Sequence, residues 1–350
     1  MSIEHPRLSA APALAALAAV LLLPQLAGAA DPSEPQPPRQ TTPASPAAST
    51  PTSPTSPAPA TTQPAASSTV SDSSQPSAAT PNPQLDPTAP KPWTVQIEPL
   101  LWLVAPSGNL KLPVTSGSGP GAFTTPGDSV PLASLALDGP RARPAGSLSI
   151  NADKWRFSFL GADDSNSRSA ITSFDTFRIG AVAVAPGDKL DVDFHFGAYE
   201  FSAGYMVYEN DFPSLRKENA IPVVLKLYAL GGVRAYDVSF GVTRTSAAPT
   251  ASANYDGFFG EPMAGLRAEA DFTKSFGIDV QVTGGVQPIG NHTSYSLDII
   301  AGFHYRPTDT LSFLIGYRQL AYDLEDGKDQ GNFNYKGRIA GLFFGIDLRF

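Results

Sequence analysis

The chain has 350 residues, a formal net charge of -8 and no cysteine. The absence of cysteine excludes a disulfide scaffold and cysteine metal sites, and the acidic balance gives no basic footprint for nucleic acid. Beyond the N-terminus no run of about eighteen apolar residues occurs, which excludes a transmembrane helix in the mature chain.

Residues 1–29 form the first predicted element. Arg7 supplies a positive n-region, weakened by Glu4, and Ala10 to Leu23 is an apolar core that Pro24 breaks. Ala27-Gly28-Ala29 follows as a small-residue cleavage site. This is the pattern of a secretory signal peptide, too short in its apolar core to span a bilayer comfortably. With no cysteine after the site, lipoprotein processing is excluded.

Residues 30–91 are a different material. The stretch 31–91 holds sixteen of the 35 prolines, many Ser, Thr and Ala, and no aromatic residue. Such a segment buries too little apolar area to offset its ordering entropy, so a disordered, partly polyproline-like linker is expected. Its predicted place is the periplasm, either as an inert spacer or in contact with peptidoglycan.

From residue 92 onward the pattern has a period of two, the strand period. Trp155, Phe157 and Phe159 oppose Arg156 and Ser158, and Lys154 is read with the polar set. Leu225, Leu227, Ala229 and Val233 oppose Lys226, Tyr228 and Arg234. The block 258–324 repeats the alternation through Leu266, Val280, Phe303 and Ile315 against Arg267, Asp279, His304 and Arg318. A helix would mix the two classes. Strands are predicted near 93–105, 144–152, 154–163, 189–208, 222–243, 258–272, 276–287, 294–306, 310–324 and 334–350. Tight links (Ala152-Asp153, Thr273-Lys274-Ser275, Pro307-Thr308-Asp309) alternate with long ones (106–143, 244–257, 325–333), as in barrels with short periplasmic turns and longer outer loops. The link 210–221 is long for a periplasmic turn. Segment 170–184 reads as an outer extension before the Pro186-Gly187-Asp188 turn. If it spans, and the chain also turns at Gly231-Gly232, the count becomes twelve. A phase change near Ala198–Glu200 predicts a β-bulge, and Pro99 sits within a strand.

The final stretch is RIAGLFFGIDLRF. Phe350, Leu348, Ile346, Phe344, Leu342 and Ala340 make one apolar face, and Arg349 and Asp347 lie on the other. A soluble sheet seldom leaves such an edge exposed, whereas a closed barrel in lipid pairs it on both sides. This stretch, with LIGYRQLAYD before it, resembles the C-terminal region of uncharacterised Gram-negative outer-membrane β-barrel proteins of the porin-like superfamily. The resemblance covers roughly 92–350. It implies an all-β, transmembrane, antiparallel up-and-down barrel of about ten strands, outer-membrane location, contact with outer-membrane lipid and lipopolysaccharide, and Phe350 as the signal read by the barrel-assembly machinery. On activity it is nearly silent.

If the oily face meets lipid, the other face lines the lumen. Its predicted charges are Glu98, Arg156, Lys226, Arg234, Arg267, Glu269, Asp279, Asp298, His304, Arg318 and Asp347, together with Lys154, Asp271, Arg306, Arg338 and Arg349. Barrels of ten or twelve strands fall between filled interiors and open channels. A salt network that fills the lumen and a narrow pore therefore both remain open, in a structural, surface or transport role without catalysis. No metal or cofactor site is expected: the histidines have no ligand spacing, although Asp191, Asp193 and His195 share one face. The alternative function is a surface-acting lipid or ester hydrolase in which His292 serves Ser294 as general base. The outer-membrane phospholipase and the lipid A deacylase also place a His two residues before a Ser. In them an Asn follows the Ser, where this chain has Tyr295, and 289–293 is predicted to be an outer loop.

Overall fold

In a computed structural model the described residues are 93–116, 123–125, 127–212, 223–246, 250–288, 292–327 and 332–350. The predicted signal peptide, the linker and most of the link 210–221 lie outside the described residues. In chain order the elements are β1 (Thr94–Lys111), β2 (Val114–Ser116), β3 (Phe123–Thr125), β4 (Val130–Pro131), a 3-10 turn (Leu132–Leu135), β5 (Arg141–Ala152), β6 (Trp155–Thr172), β7 (Phe177–Ile179), β8 (Val182–Val184), β9 (Lys189–Phe212), β10 (Val223–Arg244), β11 (Ala251–Asp271), β12 (Phe276–Gln287), β13 (His292–Tyr305), β14 (Leu311–Asp326) and β15 (Phe333–Arg349).

Ten long strands each pair antiparallel with their sequence neighbours in the order β1, β5, β6, β9 to β15, and β15 pairs back onto β1 from Gln96↔Arg349 to Lys111↔Asn334. Closure leaves no unpaired sheet edge, which is what a strand protein in hydrocarbon requires. The count is the expected ten. The alternative of twelve fails because β10 runs unbroken through Gly231-Gly232, paired on both sides. Segment 170–184 contributes the end of β6 and the β7–β8 hairpin, an extension at one rim. The tight links Asp153-Lys154, Phe272–Ser275 and Arg306–Thr310 lie at one end, with Thr94 and Arg349. We call this the turn end, and the opposite one the loop end.

Three details of the sequence reading are corrected. Lys154 sits in the β5–β6 turn and is exposed, so it does not line the lumen. Arg338 belongs to the outward set of β15, where its Nε donates to Ser107 Oγ at 3.2 Å. The bulge in β9 lies at Val207, between the pairs Leu227↔Tyr208 and Tyr228↔Met206, not at Ala198–Glu200. Pro99 is accommodated in β1 opposite Gly146 of β5, where the pairing to β15 is interrupted.

The apparent phase change at Ala198–Glu200 has another cause. Along β9 the even residues point inward without a break from Leu190 through Ser202. What changes is their chemistry. Toward the loop end the inward set is Leu190, Val192, Phe194 and Phe196, and the outward set is Asp191, Asp193 and His195. Toward the turn end the inward set is Glu200 and Ser202, and Tyr199, Phe201 and Tyr205 face out. β10 inverts in the same way between Arg234 and Tyr236, β14 between Arg318 and Leu320, and β15 at Ile339. The molecule is thus two barrels in one wall. The turn half is apolar outside and charged inside. The loop half is polar outside with an apolar core inside, as a protein in water would be. Charged side chains thus face inward in the turn half, and the preference is reversed in the loop half.

Candidate functional site: an aromatic core above a polar vestibule

At the loop end, the described residues between β1 and β5 and the β7–β8 hairpin fold over the opening. Leu112, Val130, Leu132, Leu135, Leu137, Ile179, Val182 and Val184 are buried beneath this cap. Polar bonds pin its outer surface. Arg178 N–H donates to Asp128 Oδ2 at 2.6 Å, Ser134 Oγ to Asp175 Oδ2 at 2.8 Å, and Arg141 Nη1 to Leu137 O at 2.9 Å. Below the cap lies an aromatic layer. The Phe196 ring stacks on Tyr322 at 4.7 Å between centroids, Tyr322 meets Tyr335 edge-on at 4.9 Å, and Tyr236 packs beside them. The Tyr322 hydroxyl donates to Tyr335 at 2.5 Å, so even the phenols are satisfied inside the core.

Beneath the aromatics is an upper charged layer centred on Arg234, which is 1% exposed. Its Nη2 donates to Glu200 Oε2 at 2.7 Å and to Thr283 Oγ1 at 2.6 Å, and its Nη1 to Ser296 Oγ at 2.6 Å. Glu261 and Asp298 stand 3.7 and 3.6 Å away. Arg318 donates to Asp298 Oδ2 at 2.7 Å and lies 5.1 Å from the centre of the Trp102 ring. Tyr236 OH donates to Glu261 Oε1 at 2.9 Å and ties this layer to the aromatics above. A lower charged layer follows. Arg267 Nε donates to Glu269 Oε1 at 2.8 Å, Arg156 Nη1 reaches the same oxygen at 3.4 Å, and Asp279 lies 3.5 Å from Arg267 and pairs with His304 Nε2. Charges taken out of water hold their place only when paired, and the charged groups of both layers have partners, with Glu261 Oε2 and His304 Nδ1 the buried atoms of these layers left without a hydrogen bond among the described residues.

Between the layers a small chamber of about 70 Å³ is bounded by Leu100, Trp102, Leu314 and Phe343. Below the lower layer a cavity of about 290 Å³ occupies the turn end, lined by Gln96, Glu98, Asn151, Lys226, Tyr228, Arg306 and Arg349 among others.

The structure therefore brings Arg156, Arg267, Glu269, Asp279 and His304 together in one layer and Arg234, Asp298 and Arg318 in another. Glu98 lines both cavities, and Lys226 lies in the lower one, 3.8 Å from Glu209. Asp347 is fully buried and accepts from Arg349 Nε at 2.9 Å. Phe350 continues the last ladder, exchanging backbone bonds with Val95 at 2.9 and 3.0 Å. Glu200 and Glu261 were missed. Both carry the inward parity of their strands, and that parity was the available signal.

His195 faces outward near the loop end, 3.2 Å from Asp163 and 3.6 Å from Asp237. Asp191 instead accepts from Ala170 N–H at 2.8 Å, and no group of three or more metal-ligating side chains occurs among the described residues. His292 is in β13 rather than in a loop, and 289–291 lie outside the described residues. Its Nδ1 is 3.2 Å from Asp326 Oδ1 and its ring meets Phe259 edge-on. Ser294 faces the lumen, buried, with an Oγ that has no hydrogen-bond partner.

A closed wall of ten strands, an outward apolar belt around its turn half and a filled polar interior define a transmembrane β-barrel of the outer-membrane type. Solved structures of such barrels are similar to it at low identity. The outer membrane protease OmpT from Escherichia coli has 8% identity over 75% of this chain and 98% of its own, with a TM-score of 0.38. Neisserial surface protein A has 16% identity over 74% and 97%, at 0.27, and the attachment invasion locus protein Ail of Yersinia pestis, with the heparin analogue sucrose octasulfate, 12% over 74% and 99%, at 0.27. No protein-family model matches the chain, and no curated protein does.

Proposed function

We propose that the protein is a non-catalytic, non-conducting barrel of the cell outer membrane with a structural or surface role. The observation that supports this reading is the apolar core of the loop half, where Phe196, Tyr236, Tyr322 and Tyr335 fill the section an ion would have to cross. Close-packed aromatic side chains of this kind exclude water from the centre of the barrel. Its turn end faces the periplasm, as short turns do in such barrels. The signal peptide is removed, and the Pro-rich linker hangs in the periplasm, within reach of peptidoglycan. The belt contacts outer-membrane lipid, lipopolysaccharide surrounds the loop half, and β15 with Phe350 is what the assembly machinery reads.

Planar-bilayer recording of the purified barrel tests the seal. The expected result is baseline current at all voltages that the bilayer tolerates, and steady single-channel steps refute it. The hydrolase alternative has the His292–Asp326 pair in its favour, but the buried Ser294 hydroxyl offers no substrate a line of attack. Ester or phospholipid hydrolysis that disappears on Ser294→Ala would restore that alternative.

A further inference from the structure

The lower cavity has no part in the seal, and its lining is unlike the layers above it. Most of its charges are matched: Arg306 to Asp271, Lys226 to Glu209, and Arg267 to Glu269. Glu98 is different. Its carboxylate accepts from the Ser147 hydroxyl, and among the described residues no cation stands within salt-bridge distance of it, Arg156 and Arg267 attracting it only at longer range. Arg349 is complementary to it. Among the described residues only its Nε is engaged, with Asp347, and its side chain is 24% exposed. The two lie on neighbouring strands, because Arg349 is paired with Gln96 and Glu98 is the next inward residue along β1. Diagonal neighbours of this kind are about 7–8 Å apart at the backbone, and both of these side chains are long enough to converge. Gln96, buried between them, spends its Oε1 on Asn151 Nδ2, and no partner for its own amide N–H₂ occurs among the described residues. The Glu98 carboxylate, the Arg349 donors and the Gln96 amide thus border a single polar space.

We propose that this vestibule binds a small zwitterion whose ammonium and carboxylate are carried on one carbon, a free α-amino acid. The ammonium sits on Glu98, and the carboxylate takes the free Nη groups of Arg349 and the Gln96 amide. A planar guanidinium suits a carboxylate because it can donate two parallel hydrogen bonds. A purely cationic or purely anionic solute satisfies one anchor and leaves the other unmatched. The surrounding matched pairs favour neither sign, and Asp153, unpaired among the described residues, stands exposed in the β5–β6 turn. A cavity of about 290 Å³ suits a molecule of this size with some of its water. Because the aromatic layer closes the far side, the site is a dead end that fills and empties through the turn end. It is a receptor pocket rather than a step in transport.

The test is titration calorimetry on the folded barrel in detergent, with L-alanine as the probe and with acetate and methylammonium as its single-charge halves. Alanine is expected to bind saturably at one site, and each half to bind at least about tenfold more weakly. Glu98→Gln and Arg349→Gln are each expected to weaken alanine binding about tenfold or more. Glu98→Asp, which keeps the charge, stays within a few-fold, and Arg349→Lys, which keeps the charge but loses the paired donors, binds more weakly than the native barrel and more tightly than Arg349→Gln. Heat-resistant migration on gels reports that every variant remains a folded barrel. Absence of saturable alanine binding, equal binding of acetate or methylammonium, or unchanged affinity in Glu98→Gln each overturns the proposal. Conductance does not enter this measurement, so the seal and the binding site stand or fall separately.

Discussion

Arg234 shows what a single residue carries here. It is the shared partner of Glu200, Glu261 and Asp298, all in the barrel centre. Arg234→Met keeps the bulk and removes the charge, leaving carboxylates without their common cation. The expected loss is about 3–5 kcal/mol of unfolding free energy, read by urea titration in lipid vesicles. Lys336 makes the contrast. It lies 3.7 Å from Asp323 with its side chain 73% exposed, and Lys336→Met is expected to change stability by less than about 1 kcal/mol in the same titration. Gly341 has a different role. A Cβ there would run into the carbonyl of Leu103 on β1, and its own carbonyl accepts from Trp102 Nε1 at 3.3 Å. Gly341→Ala therefore forces the β15–β1 closure apart, at an expected cost of about 1–3 kcal/mol. Eleven lumen positions, from Glu98 to Asp347, were readable from alternation alone. Which acid meets which base was not, because the partners come from strands far apart in the chain, such as Arg156 with Glu269.

At the scale of the element, β15 passes through two environments in one strand. Phe344 faces out from the belt, so Phe344→Arg places a charge against hydrocarbon, at an expected cost of about 2–4 kcal/mol in folding titrations in bilayers. Nine residues earlier Tyr335 faces in, buried in the aromatic layer. Tyr335→Ala leaves a cavity at an expected cost of about 3–5 kcal/mol by the same measurement. The rim segments follow ordinary aqueous rules. Asp188 accepts from Ser246 Oγ at 2.6 Å and from Ala185 N–H at 2.8 Å, and these bonds hold its carboxyl below the ordinary value of 3.8. A depressed carboxyl stabilises the fold above the ordinary value and loses that contribution as the pH falls through the lowered one. Hydrogen-exchange protection of the Ala185 amide is therefore expected to hold near neutral pH and to fall only in acid below 3.8. Strand positions were legible in the sequence because the period of two persists in either environment. The Val207 bulge was not, since one extra residue shifts parity without leaving a mark in composition.

For the whole molecule, the two media set the design. Lipid outside the turn half admits only apolar side chains there, so the polar ones turn inward and must neutralise one another. Water outside the loop half reverses the preference, and the same wall encloses an apolar core. On the proposed function the seal then has two independent parts, the charged layers and the aromatic core. Arg234→Ala alone and Phe196→Ala alone are each expected to remain electrically silent in bilayers. Only the combined variant is expected to show current.

By itself the sequence determined that the folded part is all strand, that one face of those strands is oily, and that ten of them would suffice to close. These follow from local periodicity, which each segment carries alone. Where the oily face changes sides was decided by the tertiary structure, because that depends on how far each strand rises out of the membrane relative to its neighbours. The same holds for the aromatic core of the loop half and for the placing of Glu98 and Arg349 on neighbouring strands. Both arise from strands brought together only when the last one pairs with the first.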